Sequence, residues 1–178
     1  MRAAVVEAIR KPLVVREMPD PECPPSGAII RVEANGICRS DWHVWSGDWS
    51  WVGITLQPPW VLGHEFCGVV EEVGPEVTRW KKGDRVLVPF SQGEGTCEWC
   101  RNGFHNVCDT PLVPGVAYWG GFGRLVGLPH ADTGHRFPES VFNLNQRQTG
   151  VERRAHHDLV FSGQRVSAGV PGSARPEA

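Results

Sequence analysis

Cys97 and Cys100 stand at a C-x2-C spacing within Glu94-Gly95-Thr96-Cys97-Glu98-Trp99-Cys100, and Cys108 follows. Two thiolates so spaced grip one ion from a tight turn, and a third returns from the loop beyond. Structural zinc sites are closed and tetrahedral, so a fourth donor is required. Glu94 precedes Cys97 by the interval at which Cys100 follows it, and a carboxylate oxygen is an acceptable zinc ligand. The set Glu94, Cys97, Cys100 and Cys108 is therefore expected to hold a structural zinc ion. Thiols without a metal would need a core to join, and this Gly-rich polar loop offers none. A redox C-x2-C normally opens a helix beside a βαβ unit, which the surrounding sequence does not suggest.

A second constellation is Cys38 with Gly63-His64-Glu65. Taken singly, a cysteine is usually a small buried hydrophobe, and a histidine is more often a satisfied polar residue than a ligand. Together they fit a catalytic zinc, which takes a few N, S or O ligands and keeps one position open. Gly63 permits close backbone approach just ahead of the ligand.

Such donors need a rigid frame, and the sequence supplies short strands punctuated by Gly and Pro. Candidate strands are 2–7, 13–17, 28–34, 68–73, 85–89 and 122–127. Pro24-Pro25-Ser26-Gly27 and Lys82-Gly83-Asp84 supply turn chemistry ahead of two of them. Regular short strands with few long amphipathic segments argue for a barrel or sandwich. One short helix is expected to begin near Ser40, with Ser40 or Asp41 as its cap. Trp42, Trp45, Trp49, Trp51 and Trp60 crowd one stretch. They read either as packing or as an aromatic wall for an apolar substrate.

These residues also carry a resemblance. Gly36-Ile37-Cys38-Arg39-Ser40-Asp41-Trp42-His43 and Leu62-Gly63-His64-Glu65-Phe66-Cys67-Gly68-Val69-Val70 resemble the N-terminal half of medium-chain zinc-dependent alcohol dehydrogenases. So do Lys82-Gly83-Asp84-Arg85-Val86 and the Glu94, Cys97, Cys100, Cys108 lobe. Gly120-Gly121-Phe122-Gly123 is similar to the strand that closes the family's barrel. The resemblance implies a mainly β fold: a GroES-like, partly open β-barrel with short helices and a zinc-binding lobe. It also implies oxidation of an alcohol to an aldehyde or ketone with NAD(P), using catalytic and structural zinc. On that resemblance Cys38 and His64 are catalytic-zinc ligands and Glu65 is a neighbouring or alternate one. Ser40 would pass the alcohol proton toward His43, and Asp41 would orient His64 or cap the helix. The family's lobe has four cysteines, whereas Glu94 stands at the first position here. A third catalytic ligand, commonly Cys in the family, has no Cys counterpart near residue 150; Glu152, His156 and His157 are the residues there that could substitute, and none is expected to.

The resemblance covers about residues 1–140, and the expected organisation is a GroES-like domain over 1–144 followed by a tail over 145–178. That tail is rich in Arg, Gly, Ala, Pro and Ser with little apolar periodicity, so it is expected to be disordered or read out of frame. No G-x-G-x-x-G between a strand and a helix is found. The chain of 178 residues also stops short of the roughly 150 further residues a dinucleotide domain takes. It is therefore expected to bind no nicotinamide by itself and to be weak or inactive alone. A non-catalytic zinc-binding β-domain, or a piece of a related sugar or polyol dehydrogenase or reductase, are the alternatives.

The formal net charge of -2 gives no sign of a nucleic-acid or polyanion partner. No membrane-length apolar run and no secretory leader is read. A cytoplasmic protein with reduced cysteines, acting on a small alcohol or aldehyde and able to form a homo-oligomer, is expected.

Overall fold

The computed structural model describes residues 1–136. The expected boundary at 144, the tail beyond it, and Glu152, His156 and His157 lie outside the described residues. The strands are Arg2–Val6 (β1), Val14–Glu17 (β2), Ala28–Asn35 (β3), Trp60–Val61 (β4), Phe66–Val73 (β5), Arg85–Leu87 (β6), Leu125–Leu128 (β7) and His135–Arg136 (β8). The helices are Arg39–Ser46 (α1) and Glu98–Arg101 (α2), with single 3-10 turns at Ser50–Val52, His105–Val107 and Ala131–Thr133.

Two antiparallel sheets form, ordered β2-β1-β4 and β7-β3-β5-β6-β8, and they do not close into one barrel. Ala28-Ile29-Ile30 and Phe66-Cys67-Gly68 are consecutively buried rather than alternating, as strands covered on both faces require. Two register shifts, at Ile29/Ile30 and between Val32 and Ala34, curl the sheet around its core. That core comprises Ala28, Ile30, Phe66, Val70, Trp80, Val86, Val88, Val126, Leu128 and Ala131.

Phe122 does not lie in a regular strand, contrary to the expectation for 122–127; β7 begins only at Leu125. The Gly120-to-Gly123 stretch instead runs along the three-stranded sheet through its backbone, and Arg124 just after it links that sheet to β3 by accepting from the Val32 amide at 2.9 Å. Gly120 and Phe122 donate to Val61 and Leu62, while Ala4 donates to Phe122 and Arg124 to Arg2 (each 2.9 Å). A glycine-rich segment serves here because backbones approach too closely for side chains. A Cβ on Gly120 would lie 2.0 Å from the Gly63 carbonyl oxygen.

The loop leading into β6 is fixed by one carboxylate. Asp132 accepts hydrogen bonds from the Thr78 amide (3.0 Å), the Thr78 hydroxyl (2.7 Å) and the Arg79 amide (3.0 Å). Partial burial opposes its ionisation, but these donors outweigh it and hold its pKa below the ordinary value. A depressed carboxylate stabilises the fold above its unfolded-state pKa and loses that contribution as pH falls through the folded one. Asp132→Ala is therefore expected to cost about 1–2 kcal/mol at neutral pH. Urea unfolding at a series of pH values should show this deficit shrinking below about pH 4. A deficit that stays constant down to acid would refute the assignment.

Candidate metal centre and catalytic site

Pairing of β3 with β5 brings the loop after one strand beside the loop before the other. Asn35 is registered with Phe66, and the Gly36 amide donates to the Glu65 carbonyl at 2.7 Å. Cys38, just beyond β3, and His64-Glu65, just before β5, are thereby neighbours. One sulfur, one ring nitrogen and one carboxylate oxygen of Cys38, His64 and Glu65 lie within 4.8 Å of one another.

Asp41 welds this arrangement. Its side chain is almost completely buried, at 4% exposure. One oxygen accepts from the Cys38 amide (3.0 Å), while the other accepts from the Gly63 amide (3.0 Å) and stands 3.3 Å from His64 Nδ1. A carboxylate only accepts, so Nδ1 carries the hydrogen and the Nε2 lone pair is left for the site. Gly63 adopts φ +100°, a conformation that disfavours a side chain.

The cap of α1 differs from the expectation. Cys38 occupies the cap, its sulfur accepting from the Ser40 amide at 3.5 Å, and Asp41 reaches back to the Cys38 amide to complete a capping box. Ser40 and Asp41 are thus inside the first turn. A carboxylate at the third helical position reaches the cap amide, which an Asp or Ser at the cap itself could not do. The Ser40 hydroxyl lies 3.4 Å from the Cys38 sulfur. His43 sits one turn on, on the same side of the helix.

Two atoms at this centre have no hydrogen-bond partner despite burial, His64 Nε2 and Glu65 Oε2. An unmatched buried polar atom costs about 1–3 kcal/mol, so two orphans facing one thiol call for a common partner. Thiolate, imidazole and carboxylate together suit a borderline-soft divalent cation such as zinc. Burial opposes charging of His64, yet the hydrogen bond and charge of Asp41, with those of Cys38, push its pKa up to about 9. A cation at Nε2 would compete with that proton for one lone pair. The edge of Phe90 packs against the ring, with centroids 4.9 Å apart.

The lobe builds its donor set from local chain. Cys97 caps α2, its sulfur accepting from the Cys100 amide at 3.5 Å. Glu94 accepts from the Cys97 amide at 2.6 Å, the Thr96 amide at 2.8 Å and the Thr96 hydroxyl. The Thr96 hydroxyl and Cys97 amide hold its carboxyl down to about 2, so it stays anionic beside the sulfurs. Cys108 Sγ lies 3.9 Å from both Cys97 Sγ and Glu94 Oε1. All four donors, Cys100 included, fall within 4.8 Å of one another, with Cys100 and Cys108 buried. The expected sets thus both assemble in space.

Sequence reasoning missed the lobe's anchor. Gln92 and Leu112 exchange backbone hydrogen bonds at its neck (2.9 Å each), and fully buried Gln92 accepts from the Tyr118 hydroxyl at 2.6 Å. A lone Gln-Gly ahead of the cysteines was its only signal. Packing accounts for three of the tryptophans. Trp45, Trp49 and Trp60 pack with Val6, Val44 and Leu62, whereas Trp51 is 82% exposed. Trp42 and Trp45 also line an apolar cavity of about 250 Å³ that reaches Asp41. Among the described residues no helix is long and apolar enough to cross a membrane.

Comparison with known proteins bears on this geometry. Residues 24–139 match the family described as the alcohol dehydrogenase GroES-like domain. An NAD-dependent alcohol dehydrogenase of Sulfurisphaera tokodaii is 40% identical over 134 residues, 73% of this chain and 39% of the relative. D-arabinose 1-dehydrogenase (NADP(+)) of Saccharolobus solfataricus is 38% identical over 125 residues, 70% of this chain and 35% of the relative. Among solved structures, alcohol dehydrogenase TADH from Thermus sp. ATN1 superposes with a TM-score of 0.69 at 34% identity, covering 78% of this chain and 40% of that one. The chain thus spans well under half the length of the curated relatives it matches.

Proposed function

The chain belongs to the alcohol dehydrogenase GroES-like domain family, and from that premise we propose that it carries the metal-binding and proton-handling half of an NAD(P)-dependent alcohol dehydrogenase. The observation that carries this reading is the convergence of Cys38, His64 and Glu65 with two orphaned buried atoms among them. These three residues would hold a catalytic zinc, and Glu94, Cys97, Cys100 and Cys108 a structural one. When bound, the catalytic zinc supplies Lewis acidity toward an alcohol oxygen, and a nicotinamide supplies the hydride acceptor.

The chain's own groups supply the rest. Asp41 fixes His64 so that its Nε2 lone pair faces Cys38 and Glu65. Ser40, 3.4 Å from the Cys38 sulfur, is placed to accept the hydroxyl proton of an alcohol and pass on its own. His43, one helical turn further, is the base that receives it. Phe90 shields the His64 ring from water. Exposed Trp42, Trp51 and Phe90 offer aromatic surface for an apolar alcohol. The D-arabinose relative supports a sugar or polyol as the second reading.

Cobalt substitution tests this directly, because cobalt–thiolate bands report both the Cys38 bond and ligands at an open position. Alcohols added to the cobalt-loaded chain are expected to shift the spectrum, and Cys38→Ser to abolish both bands and shift at that site. With NAD(P)+ added, Ser40→Ala should lower any turnover by about 10²-fold or more without loss of metal. A cobalt spectrum indifferent to every aliphatic, aromatic and polyhydric alcohol would overturn the catalytic reading. It would favour a zinc-binding β-domain without catalysis.

A further inference from the structure

The contacts around His43 include one carboxylate that the scheme above does not use. Asp48, just past the left-handed cap residue Gly47 (φ 76°), places Oδ2 3.4 Å from His43 Nδ1. Its other oxygen lies 3.5 Å from Arg10 Nη2. Arg10 comes from the turn between β1 and β2 and is the one non-glycine residue at positive φ (60°) among the described residues. Backbone held in that region signals a constraint worth explaining, and the contacts identify it. Arg10 Nε donates to the Ser46 carbonyl at 2.9 Å and its amide to the Trp45 carbonyl at 3.1 Å. The guanidinium is thus tied to the C-terminal turn of α1 while it faces Asp48.

The ring itself is held in a fixed plane. His43 stacks on Trp49 with centroids 5.3 Å apart and a 15° interplanar angle, and Trp42 meets it edge-on at 5.1 Å. Stacking fixes the plane of an imidazole but does not choose which nitrogen bears the hydrogen. The group hydrogen-bonded to one nitrogen makes that choice, and a carboxylate accepts only.

We infer that Asp48, braced by Arg10, is a positioning residue that holds His43 in its Nδ1–H tautomer and leaves Nε2 free to accept a proton. The functional consequence rests on the reading of His43 as the proton acceptor. The tautomer itself is independent of that reading. A histidine locked the other way would present a hydrogen where the relay needs a lone pair. Where a wrong tautomer is imposed on a catalytic histidine, as in the serine-protease case, the loss is on the order of 10⁴-fold. A smaller effect is expected at a ring that is partly exposed.

The full chain labelled with 15N, metal-loaded, provides the test through correlation of ring protons with ring nitrogens at a pH where the rings are neutral. His43 is expected to show a protonated-type Nδ1 and an unprotonated-type Nε2. Asp48→Asn should reverse the pair, since Arg10 can only donate and so holds the amide oxygen, turning the NH2 toward Nδ1, and Arg10→Ala should mix the two forms. His64 signals and metal content should stay unchanged in both. An Nε2–H tautomer in the parent protein overturns the inference even if neither variant folds, and so does a pattern untouched by Asp48→Asn. Reversed nitrogens with undiminished alcohol turnover would uphold the pairing and instead refute His43 as the base.

Discussion

Asp41→Ala is expected to lower the thermal unfolding midpoint by about 10 °C and to weaken metal binding at the Cys38 centre by roughly 10–100-fold. The carboxylate is buried and satisfies three donors, the amides of Cys38 and Gly63 and Nδ1 of His64. Alanine leaves all three without an acceptor in a place water does not reach, and breaking a buried pair of this kind costs about 3–5 kcal/mol. The loss also falls on function. Asp41 links the cap of α1 to the turn before β5, so its removal frees the two metal-binding segments to move apart. Asn is an informative intermediate. An amide has one acceptor and one donor end, so it must turn its NH2 toward either the Cys38 amide or the Gly63–His64 pair. Thermal melts with and without zinc, read beside equilibrium dialysis of the metal, check both parts. An Asp41→Ala protein within about 1 kcal/mol of the parent and with full metal affinity would show that Asp41 is merely a cap.

What could be read from the sequence divides along a physical line. Side chains able to share one ion must carry the right chemistry at short spacings, so Cys97, Cys100 and Cys108 with Glu94 stood out as a candidate set, and Gly63-His64-Glu65 did so beside Cys38. The cores of β3 and β5 were visible because central strands are apolar runs of ordinary length. The elements that escaped have no periodic signature. β4 and β8 are two residues long and exist only as partners of β1 and β6. Gly120 to Gly123 reads as extended chain, yet it bonds both β1 and the Val61-to-Gly63 segment without forming a regular strand. Cys38 as a helix cap was hidden because Ser and Asp follow it and are commoner caps. The Arg10–Asp48–His43 chain joins a turn to a helix end far along the sequence, and only folding reveals such a contact.

Cys100→Ser is expected to remove about one zinc ion per chain and to open the lobe while leaving the five-stranded sheet folded. The lobe has little apolar burial with which to hold itself. Trp99, Phe104 and Val107 are about half exposed, and Cys100 and Cys108 are the buried members of its donor set. Structural zinc in isolated small domains contributes about 10–16 kcal/mol of apparent binding free energy, which is folding free energy where no apo site persists. Here the Gln92–Leu112 neck and the Glu94 hydrogen bonds keep part of the turn without metal, so the lobe should loosen rather than pull the sheet apart. Trypsin reports this at exposed Arg101, where cleavage should accelerate in Cys100→Ser and in parent protein treated with chelator. Mass spectrometry of the native chain should give about two zinc ions for the parent and one for the variant. Glu94→Cys is the opposing change. It replaces a hard oxygen by a fourth thiolate and should raise affinity for zinc and more so for softer ions, at the loss of the Thr96 and Cys97 hydrogen bonds that shape the turn. A Cys100→Ser protein that keeps both zinc ions and its protease resistance would show that the lobe does not depend on a metal, and Glu94 would then be a turn-forming carboxylate alone.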